Sequence, residues 1–351
     1  MRTLSMKWSE MVLSFEITPK NYSLLKPFTI SRGSRNFAST LSLKLRYGDI
    51  IARSNCVPYA RYAEDITHVA IQIKKAMELI LAYDHPTHDL GAMRRLINTQ
   101  MRAGSARNAL DCALWDLESK IKQKPIWQLA DLKQPASPIS AYTISMDHPD
   151  AMADHALGAK HYQLLKIKLA GDQQDIQRIL KIHQAVPKAR LIVDANEGFT
   201  IENLETLKHI YALNIGLEMI EQPVKAGHEN LLAQLGKPND IIICADESIH
   251  VTDDLKTLSP HYRAINIKLD KSGGLSEAIC LLQSAQKQHL KIMIGCMMAG
   301  SLAMAPAFLL SSYADWVDLD GPLWLDDDDE NGFKFDQIGR MQTQKSDFWG
   351  Y

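Results

Sequence analysis

The chain contains no run of about 18 apolar residues, so no segment could span a membrane as a helix. It has no basic block. Its 39 lysines and arginines face 41 aspartates and glutamates, a net charge of -2, which makes nucleic acid a poor partner. Cysteine is scarce. Cys56, Cys112, Cys244, Cys280 and Cys296 are scattered, odd in number and include no Cys-x-x-Cys pair. That argues against a disulfide framework or a zinc site and for a reducing compartment. The twelve histidines include no pair four apart, the helical spacing of a metal-binding His pair. The first eight residues lack the apolar stretch of a secretory signal, so a cytoplasmic location is expected. No Gly-rich phosphate turn follows a strand, which removes the main signature of a dinucleotide-binding sheet.

What is present is an ordinary globular composition, 46% hydrophobic and 23% charged, with length for one large or two ordinary domains. Up to about residue 130, strands precede helices. Phe15-Glu16-Ile17 and residues 38–46 alternate, and Tyr47-Gly48-Asp49 reads as a turn. Residues 65–82, 89–100 and 106–129 read as helices, the last ended or broken at Pro125. Between the strands, the Gly, Ser and Pro of residues 26–35 predict a loop. Its Arg32 and Arg35 are either solvated charges or carboxylate clamps, and local sequence does not choose.

From about Ile139 short apolar strands alternate with helical stretches, at 139–146, 164–169, 191–194, 217–221, 241–245, 264–269, 291–295 and 316–319. The spacing is that of βα units, and eight of them fit a (β/α) barrel. Catalytic groups of such a barrel sit at the C-terminal strand ends. The second strand carries Lys166 and Lys168, which alternation puts on one face. Alone, that is an edge strand with solvated lysines. However, the next three strands end in Asp194-Ala195-Asn196, Glu221-Gln222-Pro223 and Asp246-Glu247-Ser248. The sixth ends in Lys268-Leu269-Asp270-Lys271 and the eighth in Asp318-Leu319-Asp320.

Three converging carboxylates need a cation, and oxygen-only ligands indicate Mg²⁺, with Asp194, Glu221 and Asp246 as its ligands. Such an ion can bind a substrate carboxylate and stabilise the charge of an enediolate. Strands two and six lie on opposite walls of a barrel. Lys168 and Lys268 would face each other, one removing the proton α to the carboxylate and the other returning one to the opposite face. That is a 1,1-proton transfer, a racemisation or epimerisation. Mutual repulsion among Lys166, Lys168 and the ion should depress the lysine pKa values.

These motifs, with the helix Ala106-Arg107-Asn108-Ala109-Leu110-Asp111-x-Ala113-Leu114-Trp115-Asp116, stand in an order and spacing that resembles the enolase superfamily, in its muconate-lactonizing subgroup. The resemblance covers essentially the whole chain. It implies an α/β fold: an α+β capping domain (1–130) with a specificity loop near 26–35, a modified (β/α)7β TIM barrel (131–325), and a C-terminal segment (326–351) returning to the cap. It implies a Mg²⁺ cofactor, a small-molecule substrate and a homo-oligomer. Asp318-Leu319-Asp320-Gly321-Pro322 is similar to the paired-aspartate motif of the dipeptide epimerases, whose carboxylates hold a free α-ammonium. The runs 27–35 and 58–62 are similar to epimerases of L-Ala-D/L-Glu, which would set Arg32 or Arg35 against a glutamate side chain. Lys166 would touch the substrate carboxylate, Thr143 and Cys296 would wall the peptide, and Asn196 and Asp270 would support the first contacts. Many relatives carry Gly-Glu where Ser54-Asn55 stands, a departure in the cap. The acidic run 326–330 is read as a solvated turn. A cycloisomerase or o-succinylbenzoate synthase would use the same lysines and metal, and a non-catalytic peptide-binding barrel is a remoter alternative. The implied activity is Mg²⁺-dependent epimerisation of a dipeptide at its C-terminal residue, serving the recycling of cell-wall peptides.

Overall fold

The computed structural model describes residues 6–8, 11–82, 89–236, 240–342 and 348–350. Its first part is an antiparallel sheet in the order β1 (Met6–Trp8), β2 (Met11–Ile30), β3 (Gly33–Tyr47), β4 (Ile50–Cys56). Alternation puts Leu41, Leu43 and Leu45 of β3 on one fully buried face. They pack on α1 (Ile66–Ala82), α2 (Leu90–Gln100) and α3 (Ser105–Lys122) through Val69, Ile73, Met77, Met93, Ile97, Leu110 and Leu114. Residues 26–35 are not the expected loop. Phe28 pairs with Arg35, Thr29 with Ser34 and Ile30 with Gly33, so β2 and β3 form a long hairpin turning at Ser31-Arg32. Gly33, at φ +130°, suits that turn. Pro27 falls where the register shifts between Ser23 and Phe28, so its missing N–H costs no ladder bond.

Two polar side chains of α3, Arg107 and Asp111, reach the barrel rather than water. Arg107 donates to the Gly273 and Ser272 carbonyls, and Asp111 accepts from the Ser276 N–H and hydroxyl. A Cβ on Gly273 would stand 2.3 Å from Arg107 Nε, and one on Gly274 would stand 2.5 Å from Asp111 Cβ. Both glycines also have positive φ, +80° and +116°, so only glycine suits this junction. Pro125 separates α3 from the short α4 (Ile126–Leu129).

The second part is a parallel sheet of β5 (Tyr142–Ile144), β6 (Leu164–Lys168), β7 (Arg190–Asp194), β8 (Leu217–Glu221), β9 (Ile242–Ala245), β10 (Ala264–Ile267), β11 (Lys291–Gly295) and β12 (Trp316–Asp318), in sequence order. The first strand is shorter than expected because Ser140 leaves it to bridge Val317, which closes the sheet on itself. Connections run through α5 (Pro149–Gly158), α6 (Asp175–Ala185), α7 (Leu204–Tyr211), α8 (Leu269–Ser272) with α9 (Leu275–Lys287), and α10 (Ser301–Phe308). After β8 and β9 the connections carry 3₁₀ turns, at Glu229–Leu235 and Thr252–Lys256. Ala141, just before β5, and one buried residue from each later strand fill the barrel floor: Leu164, Ile192, Met219, Cys244, Ala264, Met293 and Trp316.

The acidic run is not simply solvated. Asp328 caps α10 by accepting from Ser301 N at 2.8 Å, and Asp329 accepts from Leu302 N, Lys20 Nζ and the Tyr22 hydroxyl at 2.7–2.8 Å. The cap hairpin is thereby tied to the helix after β11. Farther on, Trp349 Nε1 donates to the Arg53 carbonyl and Gly350 N to Asp116.

Candidate active site

The site follows from the floor by strand alternation. The next inward position on each strand lies two residues on. Those positions are Thr143, Lys166, Asp194, Glu221, Asp246, Asn266, Gly295 and Asp318. One step higher stand Lys168, Lys268 and Asp320. A two-residue period on eight parallel strands thus stacks a charged layer on an apolar one. Gly295 belongs to the pattern, since a Cβ there would meet Asn266 Oδ1 at 2.5 Å.

Asp194, Glu221 and Asp246 are buried, and ammonium groups engage each of them. Lys166 Nζ lies 2.7 Å from Glu221, 2.7 Å from Asp318 and 3.1 Å from Asp194. Lys168 Nζ lies 2.6 Å from Asp194, and Lys268 Nζ 2.6 Å from Asp246. Lys271 Nζ lies 2.6 Å from the other Asp246 oxygen and also donates to the Ile249 and Asn266 carbonyls. Burial opposes the charge on Asp194 and Asp246, but the lysines outweigh it and hold both below the usual carboxylate range. Burial and the neighbouring Asp194 push Glu221 up. The depression expected for the lysines is not found in Lys166 and Lys268. Burial would lower each, but the surrounding carboxylates hold both well above the lysine range.

Among the described residues, no three acidic, histidine or cysteine side chains close on one point as a preformed cage. The donor set nevertheless fits Mg²⁺. It consists of three buried carboxylates on adjacent strand ends, all oxygen, and Glu221 Oε2 has no directional hydrogen bond.

At the seam of the barrel, Asp320 accepts from Thr143 N at 2.7 Å and from Trp324 Nε1 at 3.3 Å. Burial, then Asp318, raises its pKa to about 6. Asp318 Oδ1 is buried without a hydrogen-bond donor. Both aspartates line one cavity with Thr143, Lys166, Lys168, Lys268, Cys296 and the hairpin residues Phe28, Arg32 and Arg35. Burial raises the Cys296 thiol, which leaves it a poor nucleophile.

The two arginines differ. Arg32 is engaged by protein acceptors, with Glu247 at 2.9 Å and the Asn196 carbonyl at 2.8 Å. Arg35 lies over the Tyr59 ring, 5.4 Å from its centroid. Asn196 N donates to Asp194, whereas Asp270 accepts from Val57 N and Asn108 at the cap junction, behind none of the three carboxylates. Sequence reading gave no role to Asn266, which donates to Glu221 at 2.8 Å, nor to Lys271 and Glu247. The two-residue step from the floor would have found Asn266.

Two family descriptions match this chain. "Mandelate racemase / muconate lactonizing enzyme, N-terminal domain" covers residues 13–130, and "Enolase C-terminal domain-like" covers 151–344. An N-acetyl-D-glutamate racemase from a Pseudoalteromonas species is 44% identical over 84% of this chain and 90% of its own. The L-Ala-D/L-Glu epimerase of Escherichia coli K12 is 39% identical over 90% and 95%. An enolase family member from Agrobacterium tumefaciens with homology to dipeptide epimerases superposes with a TM-score of 0.88. It is 37% identical over 96% of this chain and all of that one, and its structure holds sodium and L-Ala-L-Glu with an ordered loop. With family models over both parts of the chain, and relatives matched over nine-tenths or more of their own length, the capped parallel barrel with lysines on both sides of three acids has one explanation: the chain belongs to the enolase superfamily, among its racemases and epimerases of amino-acid derivatives.

Proposed function

We propose that the protein interconverts L-Ala-D-Glu and L-Ala-L-Glu by 1,1-proton transfer at the α-carbon of the glutamate. Lys168 and Lys268, separated by β7, β8 and β9, serve as the two proton-handling groups. For one stereoisomer Lys168 takes the α-proton and Lys268 delivers another to the opposite face. For the other stereoisomer the roles exchange, which requires Lys268 to give up its proton; the carboxylate charge that holds that proton in place would be taken up by Mg²⁺ on Asp194, Glu221 and Asp246. Lys166 orients the substrate carboxylate, with Thr143 and Cys296 walling the peptide. Asp194, Glu221 and Asp246 would hold Mg²⁺, which when bound supplies Lewis-acid stabilisation of the carboxylate. Arg35 meets the glutamate side chain, because the guanidinium of Arg32 already has protein partners.

One observation carries the substrate assignment. A buried aspartate pair with an undonated oxygen, Asp318 Oδ1, shares a cavity with the cationic Arg35. Such a cavity complements a molecule with an ammonium at one end and a carboxylate side chain at the other. It is unsuited to the dianions of cycloisomerases. The Pseudoalteromonas relative supplies the second reading, N-acetylglutamate, which offers Asp318 no ammonium. Proton NMR in D₂O with Mg²⁺ tests both. Loss of the glutamate α-proton signal from L-Ala-D-Glu is expected. Exchange of N-acetyl-D-glutamate with none of the dipeptide would replace the assignment. A cytoplasmic role in the recycling of cell-wall peptides is part of the same reading.

A further inference from the structure

We infer that Arg32 and Glu247 form a fastener that seats the β2–β3 hairpin over the site, and that Glu247 is a positioning residue acting through Arg32. The hairpin tip meets the barrel at three strand ends. Thr29 N donates to Ser145 Oγ at 2.7 Å and its carbonyl accepts from Met146 N at 3.0 Å, beyond β5. Ser31 and Arg32 both donate to the Asn196 carbonyl, beyond β7. Arg32 also reaches Glu247, beyond β9. Arg32 reaches two carboxylates, Glu197 at 3.5 Å and Glu247 at 2.9 Å, and Glu247 is the closer and the more deeply buried. The Glu247 side chain is 1% exposed, its Oε1 lies 2.9 Å from Arg32 Nη2, and its Oε2 has no donor. A buried carboxylate is costly unless paired, so undocking the hairpin strips Glu247 of its ion-pair partner.

The receiving backbone is itself strained. Asn196 and Glu197 have φ of +44° and +68°, and Arg61 braces Glu197 with two hydrogen bonds of 2.6–2.7 Å. The cavity beneath the hairpin measures about 70 Å³, less than a dipeptide fills, and Phe28, Ile30, Arg32 and Arg35 of the hairpin form one of its walls. The fastener therefore acts on closure and is indifferent to which side chain is enclosed. Arg35, on the same hairpin, reads the side chain.

The role of Arg35 rests on the proposed function, whereas the fastener does not, and the test separates them. In Arg32→Met and Glu247→Gln, amide hydrogen exchange at residues 28–35 should accelerate on the order of tenfold while residues 38–45 stay protected. Unchanged exchange at 28–35 in both variants would overturn the fastener, whatever the substrate. In turnover, Arg32→Met should raise KM on the order of tenfold for L-Ala-D-Glu and L-Ala-D-Gln alike. In contrast, Arg35→Met should lose activity toward the glutamate dipeptide alone. A loss confined to glutamate in Arg32→Met would make Arg32 the clamp and refute the division of labour. If the wild type epimerises neither dipeptide, the substrate assignment fails and the exchange arm still decides the fastener.

Discussion

Lys168 and Lys268 each lie 2.6 Å from a different carboxylate, so each can be removed without touching the other's partner. Replacement of either by alanine should cut epimerisation by about 10³-fold, the scale of losing a positioned acid or base. One variant should still exchange the α-proton of a single stereoisomer in D₂O. Full activity in both would refute the two-base scheme. Asp320 gives a pH signature. Its carboxyl titrates near pH 6 because burial and Asp318 disfavour its charge. As pH falls through 6 the carboxylate is lost, so KM for an ammonium-bearing substrate should rise. The folded state binds that proton more readily than an unfolded aspartate would, so the same titration favours folding over that window. A pH–KM profile flat from 7 to 5 would refute the assignment of Asp320 to the ammonium.

At the scale of elements, the cap–barrel joint at Gly274 and the start of α10 can be tested by urea unfolding. Gly274→Ala forces a Cβ into Asp111 at a backbone angle that L-residues avoid, and should cost about 2 kcal/mol. Asp328→Ala removes the cap of α10 and should cost about 1 kcal/mol. These places also mark what the sequence did and did not disclose. The barrel strands were legible because apolar runs recur at βα spacing, and the charged layer because it sits two residues beyond. The hairpin tip was not. Pro27 and Gly33 are loop residues by local chemistry, and only the paired strand and the barrel rim beneath it make residues 28–35 regular. Nor was the work of Asp329, whose partner Lys20 lies 309 residues away in sequence. A contact of that range leaves no local periodicity.

For the whole molecule, the family and its architecture were readable because one repeat generates both. The apportioning of Arg32, Arg35, Glu247 and Asp270 was not, because it depends on how cap and barrel meet. Metal linkage is a property of this whole. A ligand that binds only the folded state stabilises it by about 2.7 kcal/mol at a hundredfold excess over Kd. Mg²⁺ should therefore raise Tm, and chelation should abolish α-proton exchange and lower Tm together. A Tm indifferent to Mg²⁺ would speak against Asp194, Glu221 and Asp246 as its ligands. The barrel seam has a further consequence, for the order of assembly. Lys168 meets Asp194 across 26 residues, whereas Thr143 meets Asp320 across 177, nearly three doublings of loop length and about 1.7 kcal/mol more closure entropy. A growing chain can bring Lys168 beside Asp194 long before β12 returns to β5. On the proposed roles, the first proton-handling group is then in place before the aspartate pair proposed to select the substrate. Pulse-labelled hydrogen exchange during refolding should find the Thr143 amide among the last to be protected.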